Sequence, residues 1–486
     1  MVCTLVNVFY LDESPLFWKY LVMCLETPRP SGHLDKIRAR LLGVAKDLGL
    51  ESEVDKIGNV MIRKPAGAGF EDKPSVCVQC HIDMVASANI DFDFENSPID
   101  AYVDGEWLKA RDTTLGADDG AGIAGCLALL EESSPLPALE CLFTVEEETD
   151  MSGAEFIAGP PFVQSEYLIN VDSEEMHAIC VGCAGGFEKS LHLPITREVI
   201  PPSHTLVHVH VTDGVGGHSG VDIHKEHANA IKVLMRVLDH AHTAELDMRL
   251  VKLDAGQAVN SIPRSGGAVV AVKDMGSLEK AVNTVFADIQ HEYKTSDGAI
   301  RVSVTKDEGS YRDACAAACT RKVIDFSQTL PHGVQRMSTA VTGDVDTSVA
   351  FTIARLEETG FYAKLFCRSS SETHMANERR IYESLARLAG ATCSEDECPF
   401  PGWEPDMASL PLQKLRESHK RLFGTDARVY SIHAGLECGA FKIAYPKLDC
   451  ASIGPLIEGA HSPDERLHIP SAGPFYTWLL DTLKSF

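Results

Sequence analysis

The sequence predicts an α/β domain with a mostly parallel central sheet, interrupted by an inserted α+β domain. Three observations carry this expectation. The chain has 486 residues, 44% of them hydrophobic, which is too long for one core and normal for a globular protein. Its first part alternates short apolar strands with helices. The pattern changes near Gly185 to strands with one exposed face and reverts after about Cys393. The expected domains are residues 1–187 together with 395–486, and an insert of 188–394.

In chain order, Ser14 to Leu50 reads as helices broken at "TPRPSG". "SEVDKIGNVMIRKP" reads as a β-hairpin with Gly58 and Asn59 at the turn. "SVCVQCHID" is a strand, and "GADDGAGIAGCLALLEES" is a loop entering a helix with small residues on its packing face. "LECLFTVEE" is a strand, "GAEFIAG" a helical piece and "EYLINVDSEE" another strand. The insert opens with "FEKSLHLPI" and "TLVHVHVTD", which alternate as half-exposed strands, followed by the amphipathic helix "ANAIKVLMRVLDHAH". "GGAVVAVK", "SLEKAVNTVFADIQHEY" and "AIRVSVTK" continue it as strand, helix and strand. Apolar strands and glycine-rich loops then return in "HAGLECGAF", "DCASIGP" and "EGAHSPDERLHI", before a last helix, "SAGPFYTWLLDTLKSF".

Charge narrows the function. With 70 acidic and 44 basic side chains the net charge is −26, which repels phosphate backbones and anionic membrane surfaces. Nucleic acid and membrane are therefore not expected as partners, whereas a cation site suits the excess. No apolar run is long enough to span a bilayer. The start "MVCTLVNVFYL" lacks a basic leader and a clear cleavage site, so no signal peptide is expected. Fifteen cysteines scattered through apolar segments fit a reduced, cytoplasmic compartment better than a disulfide scaffold.

Polar residues gather at the ends of apolar strands, where α/β proteins bind ligands. His81 and Asp83 in "CHIDMV" share one strand face, so the carboxylate can orient the imidazole. Asp118 and Asp119 in "TLGADDGAG" precede a helix, where simple capping also explains carboxylates. Glu146, Glu147 and Glu148 follow a buried strand, Asp172 ends another, and His461 sits in a loop after "CASIG". Each alone has a bland explanation. Together they supply two imidazoles and several carboxylates, a donor mix suited to zinc, manganese or cobalt and sufficient for two ions sharing a water. Strand alternation pairs Glu146 with Glu148 and leaves their roles open.

Other pairs are weaker. Cys77/Cys80 and Cys180/Cys183 are too far apart in sequence for a compact zinc knuckle and read as buried structural thiols. His208 and His210 alternate with Val207, Val209 and Val211, so they read as the polar face of a strand. His240 and His242 end a helix, where C-terminal cations are favourable.

"TPRPSG", "CHIDMV", "TLGADDGAGIA", "INVDSEE", "GCAGG", "GGHSGVDIH", "CRSS", "HAGLECG" and "GPLIEGAHSPDERLHI" run through nearly the whole chain. Together they strongly resemble the Xaa-His (aminoacyl-histidine) dipeptidases, within the clan of co-catalytic zinc peptidases and aminoacylases. The resemblance implies a zinc-exopeptidase-type α/β domain with an inserted lid and dimerisation domain. It also implies two divalent ions, zinc by affinity order with manganese or cobalt as alternatives, and a dipeptide substrate. His81 and Asp172 would each be a terminal ligand of one ion, Glu148 and His461 would hold the other, and Asp118, followed by a cis peptide, would bridge them. Asp83 would orient His81, Glu147 would be the general base and His218 would stabilise the oxyanion. Arg368 and Asn260 would hold substrate, Arg368 through its free carboxylate, with Gly435 and Glu437 contributing from "HAGLECG". A homodimer is possible, and the motif leaves open whether His218 acts in its own chain or across it. The chain departs from the family pattern at Thr149-Asp150, where a small residue and a glycine are usual. If that glycine takes a positive φ, the turn aiming Glu148 is altered. Rival readings are a related exopeptidase or acylamino-acid hydrolase, a non-catalytic binding protein on the same fold, and a thiol redox protein.

Overall fold

The computed structural model describes residues 14–486. The apolar start read as no signal peptide lies outside the described residues. The chain divides into two compact units. The first takes in the chain up to Cys183, Trp403–Ser431 and Leu436–Phe486; the second takes in Ala184–Gly402 and Ile432–Gly435.

The first unit is built on an eight-stranded sheet. In spatial order its strands are Glu51–Val54, Val60–Lys64, Leu139–Thr144, Val76–His81, Tyr167–Asn170, Asp449–Ser452, Ala178–Cys183 and Arg428–Ile432. Every residue of Val76–His81 and Leu139–Thr144 is buried, as expected where both sheet faces are covered. Helices Pro15–Glu26 and Asp35–Leu48 flank the break at "TPRPSG". Helix Ala117–Glu131 connects Val76–His81 to Leu139–Thr144 and packs against Pro15–Glu26.

The sheet is mixed rather than mostly parallel. The four middle strands, Leu139–Thr144 to Asp449–Ser452, run parallel. Pairs toward the edges are antiparallel. The hairpin accounts for one edge. Asp55 Oδ1 accepts hydrogen bonds from the backbone N–H groups of Ile57, Gly58 and Asn59 at 2.9–3.1 Å, so the chain reverses within the turn and its strands must be antiparallel. Parallel neighbours need a long crossover, and those are the pairs in the middle.

The second unit is a ten-stranded sheet whose specified pairings are all antiparallel. Helices Ala230–Thr243, Met275–Glu292, Ala317–Thr329 and Glu372–Ala389 contribute to one continuous core with it. Val207, Val209 and Val211 are fully buried, while His208 and His210 stack 5.1 Å apart on the opposite face of the strand. His240 and His242 fall in the last turn of Ala230–Thr243. Cys77, Cys80, Cys180 and Cys183 are buried free thiols. Burial pushes the Cys80 and Cys183 thiols up to about 12, which leaves them poor nucleophiles. Among the described residues, no helix is long and apolar enough to cross a membrane.

Candidate metal centre

Five residues that the family motif marks as ligands meet in the first unit, at or beyond the ends of strands and at the start of a helix. His81 is the last residue of Val76–His81, and its side chain is fully buried. Asp172 lies two residues beyond Tyr167–Asn170. Asp118 begins the segment leading into helix Ala117–Glu131, where it and Asp119 still have non-helical dihedrals and the peptide between them is cis. Glu148 sits on the short helical turn Glu147–Asp150, and His461, with φ 63°, in the loop after Ile457–Glu458.

Asp118 joins the two halves of the cluster. Its Oδ1 is 2.9 Å from His81 Nε2, and its Oδ2 is 3.1 Å from His461 Nε2. Asp172 Oδ1 completes the first half, 3.3 Å from His81 Nε2. Glu148 Oε2 completes the second, 2.9 Å from His461 Nε2. In each of the groups His81–Asp118–Asp172 and Asp118–Glu148–His461, the potential ligand atoms lie within 4.8 Å of one another.

This concentration of charge demands a counter-charge. Hydrogen bonds to Asp118 and Glu148 push His461 up to about 11. Burial opposes a charge on His81, but Asp172, Asp118 and Asp83 outweigh it and hold the imidazole well above its usual range. Burial pushes Asp172 up to about 7, and burial with neighbouring carboxylates raises Glu147 well above the usual carboxylate range. Glu148 Oε1 is buried without a hydrogen-bond partner. Two nitrogen donors, three carboxylates and an orphaned carboxylate oxygen fit a pair of divalent cations better than a structural ion-pair network, in which that oxygen would be satisfied.

The surrounding residues aim these groups. Asp83 faces His81 Nδ1 at 3.3 Å, and its two oxygens also accept from the backbone N–H groups of Glu147 and Glu148, at 3.1 and 3.2 Å. One carboxylate thus lies against the imidazole and anchors the glutamate turn. The turn keeps its aim despite Thr149-Asp150. Asp150 lies inside the helical turn and accepts from Ser152 N, while positive φ falls on Glu146 and Met151. The position that favours glycine is therefore Met151, one residue later than the motif comparison implies. Glu146 turns away and accepts from Gly32 N at 2.9 Å.

Several supports went unassigned in the sequence, although motif stretches contain most of them. Glu465, in "AHSPDE", is buried and accepts from the backbone N–H groups of Leu115, Gly116 and Asp118 at 2.8–3.1 Å. Arg29, in "TPRPSG", donates to the carbonyls of Asp83 and Gly116. Asn59, at the hairpin turn, donates to Gly153 O and accepts from Val145 N, tying down both ends of the glutamate segment. Glu437, which the resemblance gives as a substrate contact, is fully buried, accepting from Gln79 Nε2 at 2.6 Å and Thr144 Oγ1 at 2.8 Å. Burial pushes its carboxyl up to about 8.

A second constellation lies within the second unit. His218 Nδ1 accepts from the N–H groups of Gly220 and Val221 at 3.2 and 3.1 Å. Burial, then Arg368, lowers its pKa, and the two N–H groups at Nδ1 leave Nε2 to carry the proton of the neutral ring. That nitrogen is 3.4 Å from Arg368 Nη2 of the same chain. Asn260 is exposed, and its carbonyl accepts from Ser219 N at 2.8 Å, bracing the residue beside His218. Gly435 closes the short return segment Ile432–Gly435.

His433, in that segment, is buried, and its Nε2 is 2.7 Å from Ser348 Oγ. Burial and then Arg368 lower its pKa to about 3. The unfolded chain takes up this proton near pH 6.5, so stability falls as pH drops from 6.5 toward 3, by up to about 1.4 kcal/mol per pH unit. A His433→Gln variant is expected to show a shallower decline of its urea midpoint between pH 7 and 5 than the parent protein.

The M20 peptidase dimerisation domain matches residues 210–297. The cytosol non-specific dipeptidase of Escherichia coli (strain K12) is 38% identical over 482 residues, 98% of each chain. The crystal structure of aminoacylhistidine dipeptidase from Vibrio alginolyticus superposes with a TM-score of 0.91 at 34% identity, covering 98% of both chains. A tripeptidase from Staphylococcus aureus shares the fold, with a TM-score of 0.55 at 14% identity over 98% of each chain. The chain belongs to the aminoacyl-histidine dipeptidase family of the M20 peptidases.

Proposed function

We propose that this protein is a cytoplasmic metal-dependent dipeptidase that hydrolyses the single peptide bond of unblocked dipeptides. Xaa-His substrates, β-alanyl-histidine among them, are expected. The observation that carries the reading is the Asp118 carboxylate, whose two oxygens each face a different histidine, His81 with Asp172 beside it and His461 with Glu148 beside it. Bound there, two divalent ions, zinc or alternatively manganese or cobalt, would polarise the scissile carbonyl and lower the pKa of water.

The chain's own residues do the rest. His81 and Asp172 would hold one ion and Glu148 and His461 the other, with Asp118 placed to serve both. Glu147 takes the proton from the attacking water and returns it to the leaving amine, while Asp83 keeps His81 and the Glu147 turn in register. His218 donates from Nε2 to the developing oxyanion. Arg368 receives the substrate carboxylate through its planar fork of donors. Asn260 and Gly435 border the substrate. Glu437 supports binding indirectly through Gln79 and Thr144. Residues 1–187 with 395–486 form the catalytic domain, and 188–394 an inserted lid and dimerisation domain through which the chain forms a homodimer.

The test is turnover of a substrate panel by metal-stripped protein reconstituted in turn with zinc, manganese or cobalt. Dipeptides are expected to be cleaved only after reconstitution. Cleavage of tripeptides or N-acylated amino acids but not dipeptides would replace this reading with a related exopeptidase or acylamino-acid hydrolase. Activity that survives exhaustive chelation and is lost on thiol alkylation would replace it with a thiol mechanism.

A further inference from the structure

Arg368 is 5% exposed, yet among the described residues its guanidinium has polar contacts only with Ser219 Oγ and His218 Nε2, each at 3.4 Å. A buried guanidinium normally has a carboxylate partner. Here its surroundings are aromatic. The guanidinium carbon lies 4.1 Å from the ring centre of Phe366 and 6.0 Å from that of Phe400, and the two rings meet edge to face at 6.2 Å.

The backbone is arranged to permit this. Phe366 and Arg368 are two residues apart on strand Gly360–Ser369, so both side chains leave the same face. The neighbouring strand places Gly186 opposite both Arg368 and Phe400. A Cβ on Gly186 would approach the Phe400 ring to 2.9 Å, and one on Gly185 would lie 2.3 Å from Gly402 N. The "GCAGG" motif thus lets the strand carrying Phe400 pair closely at this edge and leaves room for the Phe400 ring to reach over Gly186 toward Arg368. Gly220, in "GGHSG", is similarly bare beside the arginine stem, where a Cβ would stand 3.0 Å from Arg368 Cδ.

We propose that Phe366 and Phe400 are positioning residues for the substrate's C-terminal carboxylate. Their ring faces hold the Arg368 guanidinium in one plane without neutralising it, so its hydrogen-bond donors remain for an incoming anion. Phe400 is the adjustable element, because it reaches Arg368 from the segment Glu397–Phe400 rather than from the same strand. This inference rests on the reading of Arg368 as the carboxylate receptor.

The test uses the full-length, metal-loaded enzyme with a dipeptide and its C-terminal amide. In Phe400→Leu, KM for the free dipeptide is expected to rise about tenfold with kcat nearly constant, reducing the acid-over-amide preference by the same factor. Phe400→Tyr, which keeps a ring face, is expected to restore the preference. Phe366→Leu provides the same readout should Phe400→Leu fail to fold. Equal losses on acid and amide, or a preference unchanged in both leucine variants, would overturn the inference. Arg368→Met separates it from the underlying reading. If that variant loses the preference while the leucine variants keep it, only the aromatic role fails. If Arg368→Met keeps the preference, the carboxylate reading of Arg368 fails and the aromatic role with it.

Discussion

Glu147→Ala is expected to lower kcat for dipeptide hydrolysis by about 10²–10⁴, the range that a positioned acid–base group contributes. Metal binding should survive. The turn is held by its backbone, through the N–H groups of Glu147 and Glu148 on Asp83, and Glu148 keeps its 2.9 Å approach to His461 without the Glu147 side chain. Steady-state kinetics together with metal analysis checks both halves. A variant that binds two ions and turns over dipeptides at the parental rate would remove Glu147 from the mechanism. Loss of metal along with activity would instead make it a ligand, a role open to it because His81, Glu147 and Glu148 also have potential ligand atoms within 4.8 Å of one another.

Asp118→Asn is expected to abolish activity through the metals themselves. Neutralising one carboxylate weakens both ion positions, because each of its oxygens faces a different histidine. The loss of affinity should exceed the roughly 10–100-fold that an orienting neighbour of a ligand is worth. The protein should still fold. Glu465 accepts the N–H groups of Leu115, Gly116 and Asp118, and Arg29 donates to the Gly116 carbonyl, so the loop is tied down independently of the Asp118 side chain. Titration calorimetry with zinc and a thermal melt separate the two effects. Two ions bound with parental affinity would contradict the bridging role.

Much of this was legible in the sequence because strand ends declare themselves. A buried strand that finishes in His81, or leads into Asp172, places a polar group where apolar side chains stop, and the hydropathy pattern marks that point. The glutamate triplet was less legible. Alternation along a strand would pair Glu146 with Glu148, but the strand ends at Thr144, and Glu146 takes φ 57° to start a helical turn. On that turn successive side chains diverge by about 100°. Glu147 and Glu148 can therefore take different tasks, while Glu146 reaches Gly32. The parallel character of the sheet was overestimated because apolar runs mark burial, and strand direction depends on the length of the connections instead.

The sequence by itself determined the residue types available for chemistry, the strands that end in them and the family whose motifs they match. Only the tertiary structure decided what each carboxylate does. Asp83, Asp118, Glu437 and Glu465 look alike as isolated acidic residues. They differ in whether imidazoles, backbone N–H groups or buried amides reach their oxygens. Glu465 meets the loop of Leu115–Asp118 across about 350 residues of chain, and Glu437 meets Gln79 across a similar span. A carboxylate's role depends on the donors and charges around it, and folding brings these from segments whose separation no local pattern records.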